Sequence, residues 1–106
     1  MTSPAELRTA LEAAAAELPD TSSAPAALAA VEWKRAGVGF ALLQGASVDL
    51  RVGALIAAAA VRTPDTTPSD RGPDWVAFAP AALDDHALDR LVAWFAAAHR
   101  RAAPGA

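Results

Sequence analysis

A chain of 106 residues that is 54 % hydrophobic suits one compact domain and is too apolar for a disordered segment. Yet 31 of its residues are alanine, which leaves 26 larger apolar side chains to fill a core. The formal net charge of −3 is divided between acidic stretches at 1–20 and 63–90 and a small basic island at 31–62, an arrangement that argues against nucleic acid as a partner.

Cysteine is absent, which removes disulfides, zinc knuckles and thiol catalysis. No stretch is long, bulky and uncharged enough to span a membrane, and the opening Met1-Thr2-Ser3-Pro4-Ala5-Glu6 lacks the basic and leucine-rich regions of a signal peptide. The cytoplasm of a bacterium is the expected setting.

Ser3-Pro4-Ala5-Glu6 predicts a helix start, with Ser3 as cap, Pro4 at the first position and Glu6 reaching back. Leu7, Leu11, Ala14, Ala15 and Leu18 share one face, so a helix is predicted over 4–18. Residues 19–27 read as a loop. Val31, Trp33 and Arg35 alternate with polar neighbours, Val38–Leu43 is apolar throughout, and Val48, Leu50 and Val52 alternate again. These three strands form a predicted antiparallel meander.

After Gly53, Ala54–Val61 reads as a short helix with Leu55, Ile56, Ala59 and Ala60 as its buried face. Residues 62–73 form a predicted loop with three prolines, and Asp74–Ala79 a fourth strand. Asp84 then caps a final helix from about 85 to 102, its buried stripe being Leu88, Leu91, Val92, Phe95 and Ala98. The expected fold class is α+β, a single domain over 1–106, in the order α-β-β-β-α-β-α, with an antiparallel sheet packed by helices.

Three places carry candidate chemistry. Asp84, Asp85, His86 and Asp89 gather at the start of the last helix. Their spacing matches no metal-ligand signature, so capping and a solvated face account for them without a metal. The 62–75 loop is long for a compact domain, and such loops are often functional. Within it Arg62 and Arg71 can clamp a small anion, Asp65 and Thr66 can line a polar pocket, and Trp75 can anchor a partner. The ordinary alternative is a proline-rich connection whose Asp and Thr side chains close turns.

The third candidate is the outward face of the sheet, predicted to hold Glu32, Lys34, Ala36, Gly39, Ala41, Leu43, Ser47, Asp49 and Arg51 beside Trp75 and Ala77. It reads as a ligand platform or a homodimer face, unless a helix covers it and makes Trp75 part of the core.

There is no nucleophile elbow and no glycine-rich phosphate loop ahead of a helix, so no catalytic residue and no cofactor are expected. The leading expectation is a binding or interaction domain working through the 62–75 loop and Trp75 on a small anionic ligand or a protein partner. One alternative is a nucleic-acid binder using Lys34, Arg35, Arg51 and Arg62. Another is a small enzyme built on His86 and Asp89.

The segment Gly72-Pro73-Asp74-Trp75-Val76-Ala77-Phe78, followed by a terminal helix with basic residues and Pro104, resembles the MmcQ/YjbR-like proteins. It is also similar to the small bacterial "luciferase-like" domain, through the Trp75-Val76-x-Phe78 strand. Both resemblances imply a compact α+β domain, and the first implies a double-wing mode of DNA binding.

Overall fold

The computed structural model describes residues 2–103, so Pro104 lies outside the described residues. The element order is α1 (Pro4–Ala16), β1 (Thr21–Pro25), a 3-10 turn (Ala27–Ala29), β2 (Val31–Arg35), β3 (Val38–Gln44), β4 (Ser47–Arg51), α2 (Ala54–Ala60), β5 (Thr66–Pro68), β6 (Trp75–Phe78) and α3 (Asp85–Arg101). The chain is α+β, as its patterning predicts, with one six-stranded sheet in the order β1-β2-β3-β4-β6-β5. Every neighbouring pair is antiparallel.

Two of these strands fall inside predicted loops. β1 lies in the 19–27 segment and β5 in the 62–73 segment. Both are edge strands made of Ser, Thr, Ala and Pro, residues that blunt an edge and show no apolar alternation. Their pairing is set by their neighbours rather than by their own hydrophobicity.

The helix starts follow from local chemistry. Ser3 Oγ accepts from Glu6 N at 3.1 Å while Glu6 Oε1 accepts from Ser3 N at 3.2 Å, a reciprocal capping box. At α3, Asp84 Oδ1 accepts from Ala87 N at 2.8 Å. α1 buries Leu7 and Leu11 and ends at Ala16, two residues short of the predicted stop.

All three helices share one core with one face of the sheet. That core joins Leu7 and Leu11 of α1, Ala57 and Ala60 of α2, and Leu91, Phe95 and Ala98 of α3 to Trp33, Phe40, Ala41, Leu43, Val48, Leu50, Val76 and Phe78. Phe95 is its centre, edge-on to Phe40 at 5.1 Å and to Trp33 at 6.1 Å.

A β-bulge decides which residues of β3 reach that core. Trp33 pairs with Ala41, but the next residue, Lys34, pairs with Gly39, leaving Phe40 as the extra residue. Phe40 and Ala41 therefore both face the helices, and the alternation of β3 reverses at this point. Ala41 and Leu43, expected on the outward face, lie on the core face, while Leu42 takes the outward position.

The two shorter predictions of helix faces also change. α2 turns Ala57 and Ala60 inward and leaves Leu55 90 % exposed, because the small alanines let the helix sit close to the sheet. In α3, Leu88 and Val92 are 37 % and 43 % exposed, so the buried stripe is narrower than predicted.

A polar knot ties the last turn of α3 to β2 and to the end of α1. His99 is buried, and its Nε2 donates to the Pro19 carbonyl at 2.7 Å. Arg35 Nη1 donates to the His99 carbonyl at 3.0 Å and lies 3.4 Å from His99 Nδ1. A guanidinium only donates and a carbonyl only accepts, so the ring carries its hydrogen on Nε2. Arg35 thereby satisfies the C-terminal end of a helix, where a cation is favoured.

Replacing Arg35 by Ala leaves those acceptors unpartnered and is expected to cost about 1.5–3 kcal/mol, read as a lower midpoint in urea unfolding. In the two-residue turn between β2 and β3, Ala36 and Gly37 have φ of +48° and +86°. This is a type I′ geometry that favours Asn at the first position, so Ala36→Asn is expected to raise stability by about 0.5–1 kcal/mol in the same assay.

Candidate functional site: the open face of the sheet

With every helix on one side, no helix covers the opposite face of the sheet, and none of its residues belongs to the core cluster shared with the helices, although Leu42 on it is only 7 % exposed. Strand register arranges most of it in two rows, with Gln44 and Ser47 paired beyond the first. The first runs Ala24, Glu32, Leu42, Asp49, Ala77 and Thr67, and the second runs Ser22, Lys34, Gly39, Arg51 and Trp75. The first row carries the carboxylates and the second the cations.

Trp75 opens β6, and because Val76 and Phe78 point into the core, Trp75 and Ala77 point outward. The hairpin before it is closed by Ser69 Oγ accepting from Arg71 N at 3.2 Å and by Trp75 N donating to the Gly72 carbonyl at 3.1 Å. This turn folds Arg71 back over the sheet. Its guanidinium lies 5.4 Å from the Trp75 ring centre, and its Nε donates to Asp49 Oδ2 at 3.3 Å. Lys34 Nζ is 3.8 Å from Glu32 Oε1. A Cβ at Gly39 would collide with the Glu32 carboxylate, so glycine keeps that part of the face flat.

The predicted site residues separate into two groups. Arg71 and Trp75 come together on the open face, with Asp49 as a third member. Asp65 and Thr66 serve the turn into β5. Asp65 accepts from Ala81 N at 3.1 Å, and Thr66 is buried with its hydroxyl 3.1 Å from both the Thr63 hydroxyl and the Pro64 carbonyl. Arg62 is exposed just beyond α2, on the other side of β5 in the chain from Arg71. Leu42 was missed as an open-face residue, because only the bulge at Phe40 places it there.

The cations of the nucleic-acid alternative are likewise divided. Lys34 and Arg51 stand on the open face, Arg35 is held against His99, and Arg62 lies past the far end of α2.

Around α3, a concavity of about 510 Å³ joins His86 to Thr63, Pro64 and Asp65, with Asp84 and Arg90 in its wall. Asp89 takes no part in it. Asp84 is occupied as a cap, Asp65 by Ala81, and Arg90 by the Pro64 carbonyl at 2.8 Å and by the Phe78 ring at 5.0 Å. Among the described residues no three His, Asp or Glu side chains gather as a metal site. A second, larger groove of about 800 Å³ runs between α1 and α3, with Ala10, Ala13 and Ala14 facing Leu83, Leu88 and Val92. Its apolar wall is the pair that sequence patterning assigned to the core.

Among the described residues no helix is long and apolar enough to cross a membrane. Comparison with known proteins returns no match to a family model, to a curated protein or to a solved structure.

Proposed function

We propose that the chain is a non-enzymatic binding domain, working in the bacterial cytoplasm, that recognises a protein surface through the open face of its sheet. The observation that supports this most strongly is the half-buried Trp75, placed under Arg71 on a face that contributes nothing to the core. Tryptophan and arginine are the residue types most often found as anchors in interfaces. A folded chain with so few bulky side chains gains stability by burying each one, so an outward tryptophan beside an ion pair suits recognition better than packing.

A protein partner fits better than a small anion. Small ligands are held in concavities that bury most of their surface, whereas strand register makes this face broad and shallow. Arg71 is also already engaged by Asp49, so an added anion would have to displace a carboxylate.

The enzyme reading built on His86 has one observation in its favour, the concavity shared with residues 63–65. It lacks Asp89, and its other polar groups are committed to holding the turn and the helix start. The double-wing DNA-binding mode implied by the MmcQ/YjbR resemblance needs a basic face, and the cations here are divided among three regions.

The test is capture of partners by the immobilised domain, comparing wild type with Trp75→Ala and Arg71→Ala, each checked for folding by circular dichroism. Capture is expected to fall at least about tenfold in either variant, in keeping with the loss of an interface anchor. Undiminished capture by the double variant would remove the open face from recognition. A parallel thermal-shift titration with inorganic phosphate is expected to show no saturable stabilisation; a saturable shift lost in Arg71→Ala would favour the small-anion reading instead.

A further inference from the structure

We infer that the partner for the open face is a second copy of this chain, a proposal that rests on the binding-domain reading above and names its occupant. The two rows are complementary in charge to each other. Glu32 and Asp49 stand in one row, and Lys34 and Arg51 stand in the other, on the same strands β2 and β4. The rows are two residues apart along β2, β4 and β6, about 6.6 Å, and three apart along β3, where the bulge takes up the extra residue.

Consider a two-fold axis in the plane of the interface, perpendicular to the strands and midway between the rows. Rotation about it sets each strand over its own copy and exchanges the rows. Glu32 of one copy then meets Lys34 of the other, and Asp49, which Arg71 of its own chain also contacts, meets Arg51. The same operation sets Trp75, with Arg71 against its ring, over Ala77 of the partner copy, and the largely buried Leu42 over the Gly39 end of β3, where the Glu32 carboxylate lies. Charge meets opposite charge on β2 and β4, and a bulky residue meets a small one on β6.

This is the self-complementarity that an isologous interface requires, since one patch must serve as both halves. An unrelated partner would have to present both an acidic and a basic row at the same spacing, and a second copy supplies them by symmetry. Aligned packing of two sheets at about 10 Å is also an established arrangement, and the Lys and Arg side chains can span it.

The face sets the strength of the association. Six strands at about 4.8 Å and some 15 Å of strand length give a flat footprint on the order of 400 Å² per copy. This flat footprint is about half of what stable interfaces bury per partner, about 800 Å², and surface corrugation adds to it only in part. The dimer is therefore weak, with a dissociation constant in the micromolar range or above, and it responds to concentration and salt.

Sedimentation velocity from about 1 µM to about 1 mM protein tests this. Wild type is expected to shift from monomer to dimer across the series. Glu32→Lys alone and Lys34→Glu alone place like charges opposite each other and are expected to raise the dissociation constant at least about tenfold. Both residues are partly exposed, and melting curves confirm that the variants fold.

The double variant Glu32→Lys/Lys34→Glu restores opposite charges across its own two-fold axis. It is expected to self-associate within about threefold of wild type. Mixed with isotope-labelled wild type in native mass spectrometry, it is expected to give mixed dimers well below the statistical proportion, because both 32/34 pairs would then be of like charge while only the Asp49–Arg51 pairs stay complementary.

A monomer at every concentration, or a dimer indifferent to the single charge reversals, overturns the second-copy assignment. If capture of another protein through Trp75 persists in that case, the binding-domain reading stands with a different partner. If Trp75 is also dispensable for capture, both fail.

Discussion

The architecture depends on one irregularity, the bulge that gives β3 two successive inward side chains. Without the extra residue, Phe40 would point away from Phe95, and the cluster of Phe40, Phe95 and Trp33 would lose one of the two rings packed edge-on to its centre. With it, the sheet directs nearly all its bulk toward the helices, and the knot of Arg35, His99 and Pro19 fixes how the end of α3 lies against β2 and the exit of α1. A chain with 26 apolar side chains larger than alanine can fill one space between layers. The bulge concentrates them there, and the opposite face is left without a layer.

That outcome shapes the surface chemistry. The open face is not apolar in the manner of an exposed core. It holds one half-buried tryptophan, one leucine that is 7 % exposed, and partly exposed ion pairs. Partly exposed pairs of this kind add little to folding stability, typically between zero and about 1 kcal/mol. Their arrangement in rows is better suited to choosing a partner and its orientation, which is where charge patterns act most strongly. The groove between α1 and α3 is the other exposed apolar feature, and it arises because the alanines of α1 are too short to cover Leu88 and Val92.

Much of the fold is legible in the sequence where chemistry is local. The Ser3–Glu6 capping box, the Asp84 cap, the alternation of β4 and the outward Trp75 all depend on neighbours within a few residues. What escapes is set by distant contacts. Thr21–Pro25 and Thr66–Pro68 become strands only because β2 and β6 offer free edges. The reversal at Phe40 is invisible in a run as uniformly apolar as Val38–Leu43, so Ala41, Leu42 and Leu43 are assigned to the wrong faces until pairing is known. Of the candidate site, Arg71 and Trp75 come together as one contact. Arg62, Asp65 and Thr66, read from the same stretch of chain, are carried elsewhere once β5 divides it.

The central claim is that this sheet has one covered face and one open face, and the absence of cysteine makes it directly measurable. Single cysteines introduced by Ala77→Cys on the open face and Ala41→Cys on the core face can be compared in their rate of labelling by a small thiol reagent in dilute protein. The cysteine at position 77 should react within about tenfold of the rate in an unfolded control, while that at position 41 should react only through unfolding of the domain. Equal protection at the two positions in dilute monomer would mean that the chain covers both faces itself, and would contradict the account.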